Sequence, residues 1–335
     1  MLKNQLTLTN QFLLEKSIKH KNKLKILPSK ILFNKAYGKF CIPAINVSNP
    51  EQVITLFKVA EKLQAPFIVQ TTPAAREYIP PKMLLGYIKS AIDLHPNNVC
   101  AIHIDHGYES HIIDAINSGI YTSVMIDASH DPFEKNIQRT KLIVEKAHKK
   151  NISVEAELGI LSGQEDDIDI DEQEARFTNP EDVEYFIQKT NCDSLAVAVG
   201  TSHGAYKFSG GGKLRLDILK KIQEKLPRFP IVLHGASTID KNEIDRINNA
   251  GGRLKNDAKG VSESEIKKAV KLGVCKINIA TDLRLLWTRI FREFFRDSSG
   301  EWDHLKPGKK YMEELELLLE KKFNLLLGGE KNNLF

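Results

Sequence analysis

The chain has 335 residues, of which 41% are hydrophobic and 27% charged, and its formal net charge at pH 7 is +5. This length allows one large α/β domain or two smaller ones, with a core that needs no disulfide bonds. The mild charge excess lacks the clustering of a nucleic-acid-binding surface. No apolar run approaches the ~20 residues that cross a bilayer. We therefore predict neither a nucleic-acid nor a membrane partner.

The four cysteines lie inside or beside apolar runs and form no C-x-x-C pair. A cysteine-ligated zinc site or a redox dithiol is therefore not expected. Buried free thiols are typical of a reducing cytoplasm, and we predict that the protein is cytoplasmic.

The first 35 residues are rich in lysine, contain Glu15 as their one acid and have no arginine. They also lack the continuous apolar stretch of a signal peptide. We predict that residues 1–35 form a helical extension. A single domain then spans residues 36–335 and includes a helical extension at its C-terminal end.

From residue 40 onward, eight short apolar runs alternate with amphipathic helical stretches. This alternation predicts βαβ units and a parallel sheet. Eight units fit a (β/α)₈ TIM barrel better than a doubly wound sheet, and no G-x-G-x-x-G follows a strand. The predicted strands are 40–47, 66–72, 99–105, 122–128, 152–158, 194–201, 230–236 and 274–280.

Three segments depart from this rhythm. LGILSGQEDDIDIDEQEARFTNP, after the fifth strand, is predicted to be a long acidic loop. GGRLKNDAKGVSES, after the seventh helix, is a glycine-containing insertion. Long loops in a compact barrel often act as lids or interface elements. PGKKYMEELELLLEKKFNLLLGG predicts an additional amphipathic helix that caps the barrel or packs on a second subunit.

Polar residues gather where the predicted strands end, which is where barrel enzymes carry their catalytic groups. Each one alone has an ordinary explanation, such as a helix cap or a solvated acid. Three histidines and several carboxylates at one rim are harder to explain by packing. The residues concerned are Asn46, Thr71, Thr72, Asp105, His106, Asp127, Glu155, Glu157, Ser202, His203, His234 and Asn278.

Three histidines on separate strand ends predict a catalytic zinc site, because zinc binds imidazole nitrogens and keeps one position open for substrate. The predicted ligands are His106, His203 and His234. Asp127 and Glu157 would supply a second metal position or orient the histidines.

Phosphate binding is predicted after the last three strands. HGAS (234–237) and NIAT (278–281) follow the seventh and eighth strands, where barrel enzymes often hold a phosphate. Small residues there let backbone N–H groups approach an anion. GTSHGAYK (200–207) adds glycines and Lys207.

Six segments together resemble the class II, metal-dependent ketose-bisphosphate aldolases, over about residues 36–330. They are AIHIDHG, SVMIDASHDPFEKNI, ISVEAELG, LAVAVGTSHGAYKF, IVLHGAS and CKINIATDLR. The resemblance implies a (β/α)₈ barrel and a homodimer or homotetramer. It also implies reversible, zinc-dependent cleavage of fructose 1,6-bisphosphate to dihydroxyacetone phosphate and glyceraldehyde 3-phosphate, a step of glycolysis and gluconeogenesis. Tagatose 1,6-bisphosphate is the alternative substrate.

The resemblance further implies a role for each matching residue. His106, His203 and His234 hold the catalytic zinc, and His103 is structural. Asp105 is the acid/base on the C4 hydroxyl, and Glu165 of SGQED is the base that acts on dihydroxyacetone phosphate. Asp127 and Glu157 match an alternative or second divalent position. A Na⁺ or K⁺ ion is common in the family.

The substrate and its two phosphates are assigned to twelve residues near the strand ends. Arg284 matches a position that reaches the second phosphate in a neighbouring subunit. Ala280 stands where fructose-specific relatives often have aspartate and tagatose-specific ones alanine, yet the length and the GGRLKNDAKG insertion favour fructose. The twelve are Asn46, Thr72, Gly204, Lys207, Gly235, Ala236, Ser237, Asn278, Ile279, Ala280, Thr281 and Arg284.

Three other functions are consistent with parts of the sequence. A Schiff-base aldolase needs a lysine inside the barrel, and Lys276 is the one obvious candidate. A metal hydrolase would typically have H-x-H on the first strand, which FCIPAINV lacks. A binding protein without catalysis would not need all three histidines and Asp105.

Overall fold

The computed structural model describes residues 25–165, 168–170, 176–203, 213–236, 241–254 and 260–335, with backbone alone at 162–165, 168–170 and 202–203. Gly204, Lys207 and Ser237, which we assigned to substrate binding, lie outside these ranges. So do residues 1–24 of the predicted extension. In the described part, no helix is long and apolar enough to cross a membrane.

Eight parallel strands close into a barrel, as the alternation of apolar runs predicted. Each strand pairs with the next along the chain, and the last pairs with the first. The strands are β1 (Ile42–Asn46), β2 (Phe67–Thr71), β3 (Val99–Gly107), β4 (Ser123–Ile126), β5 (Ser153–Leu158), β6 (Ser194–Val197), β7 (Ile231–Leu233) and β8 (Val274–Ile279). A short strand, Lys25–Ile26, pairs with the start of β3.

Twelve helices flank these strands in the described residues. The helices are α1 (Ser29–Ala36), α2 (Pro50–Leu63), α3 (Pro73–Tyr78), α4 (Pro81–Leu94), α5 (Glu109–Ser118), α6 (Phe133–His148), α7 (Pro180–Thr190), α8 (Leu216–Lys225), α9 (Lys241–Asn249), α10 (Glu263–Lys271), α11 (Thr281–Asp297) and α12 (Leu305–Leu327). The start of α2 illustrates how the sequence sets a helix boundary. The Asn49 side chain accepts a hydrogen bond from the Gln52 amide, and Pro50 is the first residue of the helix.

Each barrel strand has an outer apolar face and an inner, more polar face. On β5, Val154, Ala156 and Leu158 join the large core between strands and helices. Glu155 and Glu157 alternate with them and point into the barrel. Successive side chains on a strand face opposite sides, so an uninterrupted buried run still has two different faces. Inside the barrel, Met125, Ala196 and Val232 form a small separate apolar cluster.

The predicted acidic loop contains regular structure that the sequence pattern did not indicate. Ser162–Glu165 and Ile168–Ile170 pair as an antiparallel hairpin. Ser202–His203 pairs in parallel with the first of these strands, with His203 opposite Gly163. Acidic residues have low strand propensity, and this conceals the hairpin in the sequence. The pairing brings the backbone of His203 next to the segment that carries Glu165.

Both terminal segments of the described chain pack onto the barrel. Leu32 and Phe33 of α1, inside the range that we assigned to the extension, are fully buried. Helix α12 buries Tyr311 and Phe323 and packs along α2 and α11 of its own chain. Its end is tied to the start of the barrel, because the Cys41 amide donates to the Leu326 carbonyl at 2.9 Å. The division at residue 35 remains a prediction.

Arg289 links three helices around one buried guanidinium. Its Nε lies 2.6 Å from Glu243 of α9, its Nη1 lies 3.0 Å from Glu293 of its own helix, and its Nη2 pairs with Glu314 of α12. The arginine side chain is 1% exposed. Loss of the guanidinium would leave carboxylates without a counter-charge, so this position holds α12 against the barrel.

We predict that Arg289→Met lowers the free energy of unfolding by about 3 kcal/mol, as expected when one partner of a buried ion pair is removed. Urea denaturation measures this difference. Arg296→Met is the matched control, because the Arg296 side chain is 45% exposed and its pair with Asp297 lies at the surface. That variant should change the free energy by less than about 1 kcal/mol. Equal losses in both variants would contradict the assignment.

Candidate active site and metal centre

The end of β3 carries a bulge that turns two consecutive side chains into the barrel. His103 and Ile104 pair with Ser123 and Val124 of β4, but the next paired residue on β3 is Gly107, opposite Ile126. One extra residue therefore lies on β3, and His106 has a φ of +44°. This left-handed conformation is uncommon for residues other than glycine and is often kept at functional sites. Bulges re-aim side chains beside active sites.

Because of this bulge, Asp105 and His106 both reach the His234 side chain. Ligand atoms of these three residues all lie within 4.8 Å of one another. His106 Nε2 and His234 Nδ1 face each other at 2.8 Å. All three residues are buried. Two of the three predicted zinc ligands and the predicted acid/base thus occupy one point at the carboxyl end of the strands.

A carboxylate lies behind each of the two imidazoles. His106 Nδ1 is 3.0 Å from Asp127 Oδ2, and His234 Nε2 is 2.9 Å from Glu155 Oε1. Burial alone would raise the pKa of both carboxyl groups. The hydrogen bond from His106 instead lowers the pKa of Asp127, and the nearby Lys276 charge lowers the pKa of Glu155. Both carboxylates therefore accept hydrogen bonds from the outer ring nitrogens. The inner nitrogens of the two imidazoles face each other.

This donor set fits a bound metal cation. When both neutral imidazoles carry their hydrogen on the outer nitrogen, the inner nitrogens present lone pairs to each other, and a cation bound between them removes the repulsion. Nitrogen ligands backed by carboxylates are typical of zinc centres. The side chain of His203, the third predicted ligand, is not described, and only its backbone position at the same end of the barrel is known.

A second group of ligand atoms adjoins the first. His106, Asp127 and Glu157 also have ligand atoms within 4.8 Å of one another. The group contains both carboxylates that we predicted for an alternative or second metal position. Burial opposes the charged form of Asp127, but the hydrogen bonds from His106 and Ser129 hold its pKa below the ordinary range.

The predicted acid/base, Asp105, is fully buried and fixed by two amides. Asn46 Nδ2 donates to Asp105 Oδ2 at 2.9 Å, and Asn278 Nδ2 lies 2.9 and 3.2 Å from its two oxygens. Gln70 Nε2 in turn donates to Asn46 Oδ1 at 2.5 Å. These contacts hold the carboxylate rigidly in the acceptor orientation that a proton acceptor needs.

A cavity of about 200 Å³ is lined by Asn46, the residue whose amide contacts this carboxylate. Four residues that we assigned to substrate binding line it together: Asn46, Thr72, Ala280 and Arg284. The lining also includes Ser48, Gln52 and Tyr78, which our reading of the sequence missed. Ser48 and Gln52 belong to the β1–α2 connection and the first turn of α2, so the barrel rule alone could have suggested them.

The remaining assigned residues have different surroundings. Gly235 has a φ of +59° directly after His234, and Ala236 is buried. Ile279 is buried on the outer face of β8, so its backbone alone is available to a ligand. Thr281 is the first residue of α11, whose N-terminal end carries the backbone N–H groups that favour anions. The Glu165 side chain lies outside the described part.

His103 and its neighbours form a polar network deeper in the barrel. His103 Nδ1 lies 2.8 Å from Ser123 Oγ, and its Nε2 lies 3.4 Å from Lys276 Nζ. Burial and the Lys276 charge lower the pKa of His103 to about 3. The imidazole is therefore neutral. This geometry agrees with the structural role that we expected for His103.

The chain matches the family model described as "Fructose-bisphosphate aldolase class-II" over residues 28–331. This range includes all barrel strands and most of the helices. The chain belongs to the class II fructose-bisphosphate aldolase family.

Relatives with this name are similar over most of their length. The fructose-bisphosphate aldolase of Giardia intestinalis is 39% identical over 283 residues, which cover 83% of this chain and 86% of that protein. The fructose-bisphosphate aldolase of Helicobacter pylori strain 26695 is 37% identical over 292 residues, which cover 87% of this chain and 94% of that protein. Among solved structures, the YdjI aldolase of Escherichia coli K12 has a TM-score of 0.72 and 25% identity, and the match covers 92% of this chain and 100% of that one.

We predict that His106→Gln and His234→Gln each weaken zinc binding by at least about 10-fold, because each removes one aligned imidazole nitrogen. Competition with a chromophoric chelator measures the dissociation constant. His95→Gln is the matched control, since His95 pairs with Glu61 at 2.7 Å on the surface, and it should leave zinc affinity unchanged. Unchanged affinity in both site variants would overturn the proposed ligand set of this class II family member.

Proposed function

We propose that this protein is a class II fructose-1,6-bisphosphate aldolase that cleaves its substrate reversibly to dihydroxyacetone phosphate and glyceraldehyde 3-phosphate. The observation that carries the proposal is the meeting of Asp105 with the facing nitrogens of His106 and His234 at the carboxyl end of the barrel strands. An aldol cleavage needs a base at one oxygen and positive charge at another. This arrangement offers the base and the nitrogen ligands for a cation.

Asp105 acts as the base in cleavage. It takes the proton of the C4 hydroxyl while the C3–C4 bond breaks, and it returns that proton in condensation. Asn46 and Asn278 hold the carboxylate in place by donating hydrogen bonds to its oxygens. In condensation, Glu165 removes a proton from dihydroxyacetone phosphate. His106, His203 and His234 would hold a divalent cation. Its positive charge would stabilise the negative charge that develops on the oxygens of the dihydroxyacetone phosphate half.

One phosphate is assigned to the segments after β7 and β8, namely Gly235, Ala236 and residues 278–281; the assignment of Ser237, Gly204 and Lys207 rests on the sequence alone. The N-terminal end of α11 favours a negative charge there. Arg284 is assigned to the second phosphate, that of a substrate in a neighbouring subunit. Thr72 and Arg284 line the same cavity.

Zinc is the proposed metal, because nitrogen ligands on separate strands suit its tetrahedral preference. Asp127 and Glu157 provide the second divalent position, and a Na⁺ or K⁺ ion assists near the phosphate loops. The four free, buried cysteines support a cytoplasmic enzyme of glycolysis or gluconeogenesis.

We further propose that the enzyme is a homodimer or homotetramer. An exposed aromatic groove borders the cavity and supports this proposal. Tyr78, Met83 and Trp287 line the groove, with Trp287 stacked on Phe291 at 4.3 Å between ring centroids. Contiguous exposed apolar surface of this kind marks interaction sites. Arg284 lines both the groove and the cavity.

The direct test is cleavage of fructose 1,6-bisphosphate with and without a chelator. Dialysis against the chelator should abolish activity, and zinc or cobalt should restore it. Full activity in metal-free protein would overturn the proposed metal dependence. No cleavage by the metal-loaded enzyme would overturn the proposed activity.

We predict that Asp105→Ala lowers kcat by about 10²–10⁴-fold while zinc stays bound, as expected for loss of a general acid/base. His103→Gln should cost much less, because His103 bonds to Ser123 inside the barrel rather than facing the cavity. Steady-state kinetics and zinc content are measured on both variants. Equal losses with zinc retained would contradict this division of roles.

Fructose and tagatose bisphosphates differ in configuration at C4, and Ala280 lines the cavity next to Asn46. We predict that Ala280→Asp widens the fructose-to-tagatose ratio of kcat/KM. A carboxylate there can bond to one epimer, and the other leaves a buried polar group unpaired. The ratio is compared with that of the unmodified enzyme at equal metal loading. An unchanged or reversed ratio would mean that residue 280 does not set specificity at C4.

A further inference from the structure

A fully buried ion pair lies directly behind the proposed zinc site. Lys276 Nζ of β8 is 2.7 Å from Glu155 Oε2 of β5, and neither side chain is more than 1% exposed. The two strands are not neighbours in the barrel, so the pair spans its interior. The sequence placed Glu155 among the polar residues at the strand ends and offered Lys276 as a Schiff-base candidate, but it assigned neither residue a role at the metal site.

Glu155 contacts the proposed zinc ligand with its other oxygen. Oε1 accepts a hydrogen bond from His234 Nε2 at 2.9 Å, while Oε2 accepts from Lys276. A carboxylate has no proton to donate, so His234 must carry its hydrogen on Nε2. The lone pair of a neutral imidazole then lies on Nδ1, the nitrogen that faces His106. Glu155 therefore determines which nitrogen of His234 is available to a metal.

Lys276 offsets the free-energy cost of burying the charged Glu155 carboxylate. An unpaired charge at this depth would cost several kcal/mol, and the ammonium group cancels it. Around the ammonium, the two polar neighbours are Glu155 and the neutral His103, whose Nε2 lies 3.4 Å away. In this ion pair the lysine nitrogen is an ammonium group, which has no lone pair for attack on a substrate carbonyl.

We propose that Glu155 is a positioning residue for His234 and that Lys276 is the counter-charge of Glu155. This inference rests on the proposed function for the identity of the metal site. It predicts that the pair sets metal affinity through the orientation of His234.

The test uses Glu155→Gln and the double variant Glu155→Gln with Lys276→Met. The amide of the single variant still offers an oxygen to His234 but leaves Lys276 without a counter-charge. We expect a large fall in Tm for the single variant and a partial recovery in the double variant, because both charges are then absent. If the single variant does not fold, the double variant carries the measurement.

Metal affinity separates positioning from mere structural support. Because a neutral amide polarises and orients His234 less well, the zinc dissociation constant should rise about 10–100-fold in the folded double variant. The visible absorption of the cobalt-loaded protein should shift as well, since it reports the ligand geometry. The matched control is Asp282→Asn with Lys322→Met. That pair is also buried, at 2.6 Å, but lies outside the barrel interior.

The control pair should alter Tm without changing zinc affinity. The role of Glu155 would be overturned if the folded double variant had the same zinc affinity and the same cobalt spectrum as the unmodified enzyme. Borohydride reduction with substrate should trap no adduct on the unmodified enzyme, and an adduct on Lys276 would overturn its role. Measurements on the unmodified enzyme distinguish the two proposals. If it binds zinc tightly but does not catalyse aldol cleavage, the proposed function is contradicted and the role of Glu155 is not.

Discussion

Closure of eight parallel strands forces one face of every strand into a narrow interior that water does not fill. Polar side chains on that face must find partners from other strands, because buried polar groups without partners are costly. Glu155 and Lys276 satisfy this requirement across the barrel at 2.7 Å. The same constraint aligns Asp105 with Asn46 and Asn278. The site is therefore built from interior groups that hydrogen-bond to one another at the open end of the barrel.

The sequence was sufficient to predict the barrel and much of the rim. Eight apolar runs matched eight observed strands, because parallel strands covered by helices are recognisable as short buried runs. The rule that barrel strands end at the site then brought together residues as distant in sequence as His106 and His234, whose ring nitrogens lie 2.8 Å apart. It also grouped Asn46, Thr72, Ala280 and Arg284, which line one cavity.

The remaining features depend on local geometry that residue patterns do not encode. Strand alternation predicts that Asp105 and His106 face opposite sides, yet the bulge and the φ of +44° at His106 turn both inward. Similarly, Lys276 within VCKINI interrupts an apolar run, and the sequence does not show that it pairs with a residue of β5. The acidic hairpin at 162–170 was missed because side-chain propensity there opposes the strand. In each case, tertiary contacts decide the outcome.

The interior pair also bears on which aldolase chemistry this barrel supports. Covalent catalysis by a lysine requires a neutral amine, which a desolvated pocket favours. Lys276 is equally buried, but its side-chain nitrogen donates a hydrogen bond to the Glu155 carboxylate at 2.7 Å. If Glu155 were removed to free the amine, His234 would lose the acceptor that directs its lone pair toward His106. The interaction that orients the metal ligand is thus the one that prevents Lys276 from acting as a nucleophile, so the two mechanisms exclude each other in this interior.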